Sequence, residues 1–193
     1  MKVPLKTVAS LLAVAALTAG CNPFTPKASA PQYPQDPRFS EFVFESDEEP
    51  TVKARTDSVN VRWPNMEASE AHVVLEYSPA LAFIPAQDPE FWLTAVATVP
   101  DETVQLLTEG TTTDTLLPGI YPDLYEYVPQ DCHFTNIDTA FANDRLGVDL
   151  DEATKGFAPI DITGLAASED CNLIVITALG HSFTPPSYPG QSQ

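Results

Sequence analysis

A mainly β domain is what this sequence predicts, and three stretches carry the prediction. Residues 171–179 (CNLIVITAL) are the most strongly β-branched run in the chain and suit a central strand. Residues 71–77 (AHVVLEY) form a second apolar, β-branched run. Residues 58–63 (SVNVRW) alternate polar and apolar, which puts Val59, Val61 and Trp63 on one face of a strand.

Taken in chain order, residues 22–35 come first, with proline at 23, 26, 31 and 34, a composition that favours an extended tether. Residues 42–44 are a short strand candidate. Pro64, Asn65 and Ser69 then supply turn chemistry between the runs 58–63 and 71–77. Two segments leave the choice open. Asp88-Pro89-Glu90 reads as a cap, a proline at the first helical position and an early acid, so residues 91–97 suit a helix. Val96, Thr98 and Val99 favour a strand over the same stretch. Residues 101–110 pose the same question, with Asp101 as cap and Gly110 as stop. Residues 124–128 are a further strand candidate, and 136–147 and 149–156 read as short helical turns ended by glycine. The tail 184–193 is expected to fray.

Charge narrows the partners. The 193 residues carry nine Lys and Arg against 27 Asp and Glu, a formal net charge of −18. Between Arg62 and Arg145 there is no Lys or Arg, while fourteen acids lie in that interval. Such a surface repels nucleic-acid phosphate and anionic lipid headgroups, so no nucleic-acid partner is expected. Hydrophobic residues make up 44% of the chain, ample for one core.

Catalytic signatures are sparse. With eight glycines, phosphate-cradling loops have little material, and neither G-x-x-x-x-G-K-[ST] nor G-x-G-x-x-G occurs. G-x-S-x-G and H-E-x-x-H are absent too. His72, His133 and His181 lie far apart, so no catalytic residue, metal ligand set or cofactor is assigned. The run Asp149-Leu150-Asp151-Glu152 offers carboxylates to Ca²⁺, but it lacks the D-x-[DN]-x-[DN]-G loop, and acids at a helix start explain it equally. Phe91-Trp92 with Tyr121, Tyr125 and Tyr127 could form an aromatic surface for a glycan or peptide; core packing is the reading preferred.

The amino terminus points to export. Lys2 and Lys6 precede an apolar run at 8–17, which is signal-peptide anatomy and too short for a permanent span. The run closes on Leu17-Thr18-Ala19-Gly20-Cys21, which resembles the lipobox of bacterial lipoproteins, with Thr18 where an aliphatic residue is usual. The resemblance implies that residues 1–20 are removed, that Cys21 is lipidated and becomes the first residue, and that acyl chains hold the protein at a membrane. Two bases would leave with the signal, so seven would face 27 acids, a net charge of −20. Asn22 rather than Asp follows the cysteine, which in that family favours the outer membrane where one exists. The two remaining cysteines, Cys132 and Cys171, are an even pair in an oxidising compartment and are expected to form a disulfide.

A second resemblance covers residues 50–128. Pro50, the V-x-V-x-W pattern of Val59, Val61 and Trp63, then Pro64, Tyr77, Ser78 and Pro79 look like the first half of a fibronectin type III domain. Residues 117–122 (LPGIYP) resemble the turn before that family's strand F, with Tyr125 and Tyr127 flanking Glu126, where its tyrosine would fall. The resemblance implies an immunoglobulin-like β-sandwich with short helical insertions, with an α+β domain carrying helices at 88–98 and 101–109 as the alternative.

The expected organisation is therefore a signal peptide (1–20), a proline-rich tether (21–40), one β-rich domain (41–183) and a flexible tail (184–193). The expected role is a lipid-anchored envelope protein, a non-enzymatic binding or structural module that meets the membrane through its lipid and has a protein partner in the envelope. The alternatives are a small exported hydrolase using carboxylates and an accessory subunit of an envelope or secretion complex.

Overall fold

One antiparallel sheet of six strands organises the chain, in the order β1-β2-β3-β6-β5-β4. The computed structural model describes residues 35–79, 89–147 and 160–181, all within one unit, Tyr33–Gln193. The strands are β1 (Lys53–Ala54), β2 (Glu70–Tyr77), β3 (Glu90–Thr98), β4 (Thr135–Ile137), β5 (Ile160–Ser168) and β6 (Leu173–His181). Three helices join them: α1 (Thr56–Arg62), α2 (Asp101–Thr108) and α3 (Thr139–Leu146). Short 3-10 helices cover Pro64–Met66 and Pro122–Tyr127.

The expected central strand is found: β6 lies between β3 and β5 and pairs with β3 along its whole length, Glu90↔His181 to Thr98↔Leu173. The open choice over 88–98 resolves as strand, because residues 91–97 are all buried and a helix of this length cannot bury every side chain between two neighbours. Phe91, Leu93, Ala95 and Ala97 face one side, and Trp92, Thr94 and Val96 the other. Residues 101–108 resolve as helix, with apolar Val104 and Leu107 buried. Asp101 does not cap that helix. It is the first helical residue and accepts a hydrogen bond from Asn172 Nδ2 at 2.6 Å, tying α2 to the turn between β5 and β6. Gly147, with φ of 67°, ends α3 in the left-handed conformation that glycine adopts without strain, and Asp138 caps its start through Phe141 N at 2.9 Å.

Three strand expectations are corrected. Residues 58–62 belong to α1 and Trp63 is its C-cap, so the stretch is not a strand. The same residues that alternate also place Val59, Trp63 and Met66 at i, i+4 and i+7, and these three are fully buried while Val61 is half-exposed. Pro64 then starts the 3-10 turn that closes the segment. Residues 124–128 fall mostly within the 3-10 helix Pro122–Tyr127, where Pro122 presets the first turn and Leu124 is the residue driven inward. Residues 42–44 belong to no strand and pair with none.

The V-x-V-x-W segment that carries the fibronectin resemblance is thus helical. Among the described residues the strands make one sheet, with no second sheet packed on it, so the fold is mainly β with short helices. Its first face is covered by α1, α2 and α3, whose Val59, Trp63, Leu107, Ala142 and Leu146 meet Ile162, Ile174 and Ile176. Its second face is covered by residues 36–46 and 117–134, irregular chain apart from the 3-10 helix Pro122–Tyr127, which bring Phe39, Leu117, Ile120, Tyr121 and Leu124 into one cluster with Trp92, Val96 and Val175. The helical turn expected at 149–156 and the tail 184–193 lie outside the described residues, and among those described no helix is long and apolar enough to cross a membrane.

Candidate functional site

The second face is where the chain enters the domain. Asp36 to Ser40, read above as the end of the tether, are packed. The Arg38 guanidinium grips the Asp36 carboxylate at 2.8 and 3.1 Å and donates to the carbonyls of Val128 and Pro129 at 3.0 and 2.9 Å. That grip holds the Asp36 carboxyl below the usual carboxylate range. Phe39 is buried and stacks on Tyr125 with ring centroids 4.6 Å apart. Its neighbours make a parallel bridge to Leu117: Leu117 N donates to Arg38 O and Ser40 N to Leu117 O, both at 2.8 Å.

Beyond this clamp, residues 41–45 run across the face as a strap. Phe42 meets the rings of Trp92 and Tyr121 edge-on at 5.3 and 5.7 Å, and Phe44 stacks on Trp92 at 5.7 Å. Trp92 Nε1 donates to Glu45 O at 2.9 Å. Val43, between the two phenylalanines, is 70% exposed, so the strap alternates as a strand does while both its rings remain half-buried.

Under the strap, two threonines on adjacent strands hold the loop 117–122. Thr94 Oγ1 accepts from Tyr121 N at 3.2 Å, and its register partner Thr177 donates to Gly119 O at 3.0 Å. They satisfy a buried loop backbone that no strand pairs with. Gly119 itself is required by closeness: a Cβ there would stand 2.6 Å from Glu41 O, in the strap.

The expected disulfide is present. Cys132 and Cys171 are joined with Cα atoms 5.8 Å apart, closing a separation of 39 residues. Around it, Asp170 accepts from His133 N at 3.2 and 3.3 Å, pairs with His133 Nδ1 at 2.8 Å and accepts from Ser168 Oγ. The Ser168 and His133 hydrogen bonds hold the Asp170 carboxyl down to about 2. Serine, histidine and aspartate meet here, but in the wrong order for nucleophilic catalysis. The carboxylate stands between the other two, and the serine hydroxyl donates to Asp170 rather than to His133, the base that would have to take its proton. The His133 side chain is 92% exposed, so the trio works as a clamp beside the disulfide.

Two open depressions lie on the surface of the described residues. One, of about 400 Å³, lies where β4 ends and a bulge interrupts β5 between Ile162 and Gly164; Ser40, Asp114, Leu116, Asn136 and Thr163 are among its walls. Asn136 Nδ2 is committed to the carbonyls of Asp114 and Leu116, both at 2.9 Å. The other, of about 670 Å³, is lined by Glu49, Asp123 and Glu126 with Pro50, Val52 and Pro122. Among the described residues no three His, Cys, Asp or Glu side chains converge as metal ligands.

Of the sequence candidates, Cys21 and the acid run at Asp149, Asp151 and Glu152 lie outside the described residues. Phe91 and Trp92 point to opposite faces, and Phe91, Trp92 and Tyr121 are buried, which is core packing rather than an open aromatic platform. Tyr127 instead stacks on His72 at 3.6 Å. His72, His133 and His181 sit on β2, beside the disulfide and at the end of β6, and do not form a site together. The Asp36–Arg38 clamp escaped sequence reading. Its only signal was one base, Arg38, isolated between Lys27 and Lys53, two residues after an acid. No family model, no curated protein and no solved structure matches this chain.

Proposed function

We propose that this chain is a lipid-anchored lipoprotein of the bacterial envelope, and that its domain is a non-enzymatic binding or structural module displayed from a membrane. The order of Lys2, Lys6, the apolar run, Ala19-Gly20 and Cys21 carries the reading. Two or more acyl chains on Cys21 anchor stably, where one alone is marginal. The net charge of −18 opposes any electrostatic hold on an anionic surface, so the lipid supplies the attachment.

The clamp supports this reading. Asp36 lies fifteen positions after Cys21, and a chain of that length spans at most about 50 Å. At its far end the Asp36–Arg38 clamp fastens the chain to Val128 and Pro129, so tension from an anchor would be taken by charge-assisted hydrogen bonds before it reached the sheet. Asn22 supports sorting to the outer membrane in a cell that has two.

Metabolic labelling with palmitate tests the proposal. Full-length protein takes up label and fractionates with membranes, whereas Cys21→Ser takes up none and is recovered soluble and folded. Label in the Cys21→Ser protein, or its persistence in washed membranes, overturns the anchor. In a two-membrane cell, Asn22→Asp moves the protein to the inner membrane; unchanged sorting removes the outer-membrane assignment.

A further inference from the structure

The depression at the β5 bulge is framed by strand edges that are already occupied. Residues 110–112 run along the outer side of β4, where Thr112 N donates to Asn136 O and Asp138 N to Gly110 O, both at 2.8 Å. The edge of β5 beyond β4 is taken by Asn143 of α3, which accepts from Ile162 N at 2.9 Å and donates to Ile162 O at 3.2 Å. Asn136 is buried, and its two bonds to the carbonyls of Asp114 and Leu116 hold a loop whose side chains face water. That loop keeps Leu116 half exposed, and Thr112 Oγ1 donates to the Asp114 carboxylate at 3.3 Å. A buried amide thus fixes an exposed leucine and an oriented carboxylate in the wall of one cavity.

The chemistry of the walls selects among ligands. Ser40, Thr115, Thr139 and Thr163 bring four hydroxyls, Asp114 a carboxylate and Leu116 an apolar surface. Among the described residues the hydroxyls of Ser40, Thr115 and Thr139 have no hydrogen-bond partner, and no Lys, Arg, His or aromatic ring lines the depression. An anion would find no cation here, and a metal ion only one carboxylate. A flat aromatic ligand would have no ring to stack on. An extended peptide would have no free edge to join, since residues 110–112 and Asn143 take both. A neutral polyhydroxylated ring meets none of these obstacles. Its hydroxyls pair with the wall hydroxyls and with Asp114, and its C–H face lies on Leu116.

We propose that this depression is a binding site for a single neutral sugar ring, with Asp114 and the wall hydroxyls as its hydrogen-bonding groups and Leu116 as its apolar contact. A volume of about 400 Å³ lies at the lower end of small-molecule sites, which suits one ring rather than a chain of them. The proposal rests on the domain being a binding module and not on Cys21. Loss of sugar binding and loss of palmitate label are therefore separate results.

Amide NMR spectra of the isotope-labelled full chain test it with glucose, galactose, mannose and N-acetylglucosamine. At least one of them saturates with a dissociation constant on the order of millimolar. It shifts the amides of residues 114–117 and 163–165 and leaves those of α1 in place. Glucuronate and galacturonate bind about tenfold or more weakly than that sugar, because their carboxylate meets Asp114. Asp114→Ala, at an exposed position, weakens binding about tenfold or more, whereas Asp123→Ala in the other depression leaves it unchanged. Should the first variant not fold, Leu116→Ser takes its place under the same criteria. The site is overturned if none of the four sugars gives saturable shifts confined to these residues, if a uronate binds as tightly as the neutral sugar, or if the two aspartate variants respond alike.

Discussion

The two faces of the sheet bury their side chains by opposite means, and the first buries more: nine of the twelve largest fully buried side chains lie on it, and three, Trp92, Ile120 and Leu124, on the second. On the first face, short helices bring their own hydrogen bonds with them, and the contact is side chain on side chain: Val59, Trp63 and Leu107 against Ile162, Ile174 and Ile176. On the second, irregular chain must have its backbone satisfied by the sheet, and buried threonines inside an apolar strand pattern do that work. The difference teaches where polarity in a core comes from. Thr94 and Thr177 sit on central strands because the covering segment has no partners of its own.

The largest effect that separates the faces is a truncation on each. Trp63→Ala removes a fully buried indole from the first face and costs about 3–5 kcal/mol in chemical denaturation. Phe44→Ala on the second face costs about 1–2 kcal/mol, because that ring is already half in water. Trp63 sharpens the contrast further, since its Nε1 is buried with no hydrogen-bond partner among the described residues. Trp63→Phe should therefore be much milder than Trp63→Ala. Equal costs for Trp63→Ala and Phe44→Ala would erase the distinction.

The disulfide comes next. It ties the end of the chain that covers the second face to the turn between β5 and β6, and a loop of 39 residues is worth about 4 kcal/mol on the chain-entropy account. Replacing Cys132 and Cys171 by serine should lower stability by up to that amount, and exchange should rise first in residues 128–134. A loss spread evenly over α1 to α3 would show that the bridge supports both faces alike.

How much of this could be read from the sequence follows the same division. The strands β2 and β6 were legible because their apolar runs are continuous and β-branched, and the disulfide because Cys132 and Cys171 are the two cysteines left once Cys21 is set aside as the expected lipidation site. Residues 58–63 were misread since Val59, Val61 and Trp63 fit a period of two, and the competing period of 3.6 becomes visible only when Met66 is counted with them. The second face was hardly legible at all. Nothing local marks Arg38 as a bond to Val128 and Pro129, ninety residues away, or Thr94 as an acceptor for Tyr121 N. Contacts made by irregular chain leave no period to find, whereas helices and strands announce themselves by repetition.

A smaller perturbation isolates the strap. In Gly119→Ala, the added Cβ would stand 2.6 Å from Glu41 O and 3.0 Å from Ser40 O, and backbone cannot swing aside as a flexible side chain can. The cost should be about 1–3 kcal/mol, borne by the second face alone. Exchange at residues 40–45 should quicken and Trp92 fluorescence shift towards that of a wetter indole, while amides of α1 and α2 stay as they were. Loss of protection in the helices as well would mean that the faces are coupled through β3.

Acid should produce the smallest effect, and it too should fall on one face. Asp36, gripped by Arg38, and Asp170, bonded by Ser168 and then by His133, both have carboxyls held below the ordinary value of 3.8, the latter at about 2. A carboxyl whose folded pKa is depressed contributes stability that is fully present above its unfolded value and lost as pH falls through the folded one. The window therefore runs downward from about pH 4 to about 2, and stability is unaffected by these groups near neutrality. Both carboxylates clamp chain that covers the second face. Between pH 5 and 2 the strap and residues 128–134 should lose exchange protection ahead of the helices, and Asp170→Asn should flatten the acid limb of the stability curve without changing its neutral plateau more than the lost hydrogen bonds require. Identical acid limbs in wild type and Asp170→Asn would show that the corner contributes nothing on folding, and would leave the Asp36–Arg38 clamp as the acid-sensitive contact of the second face.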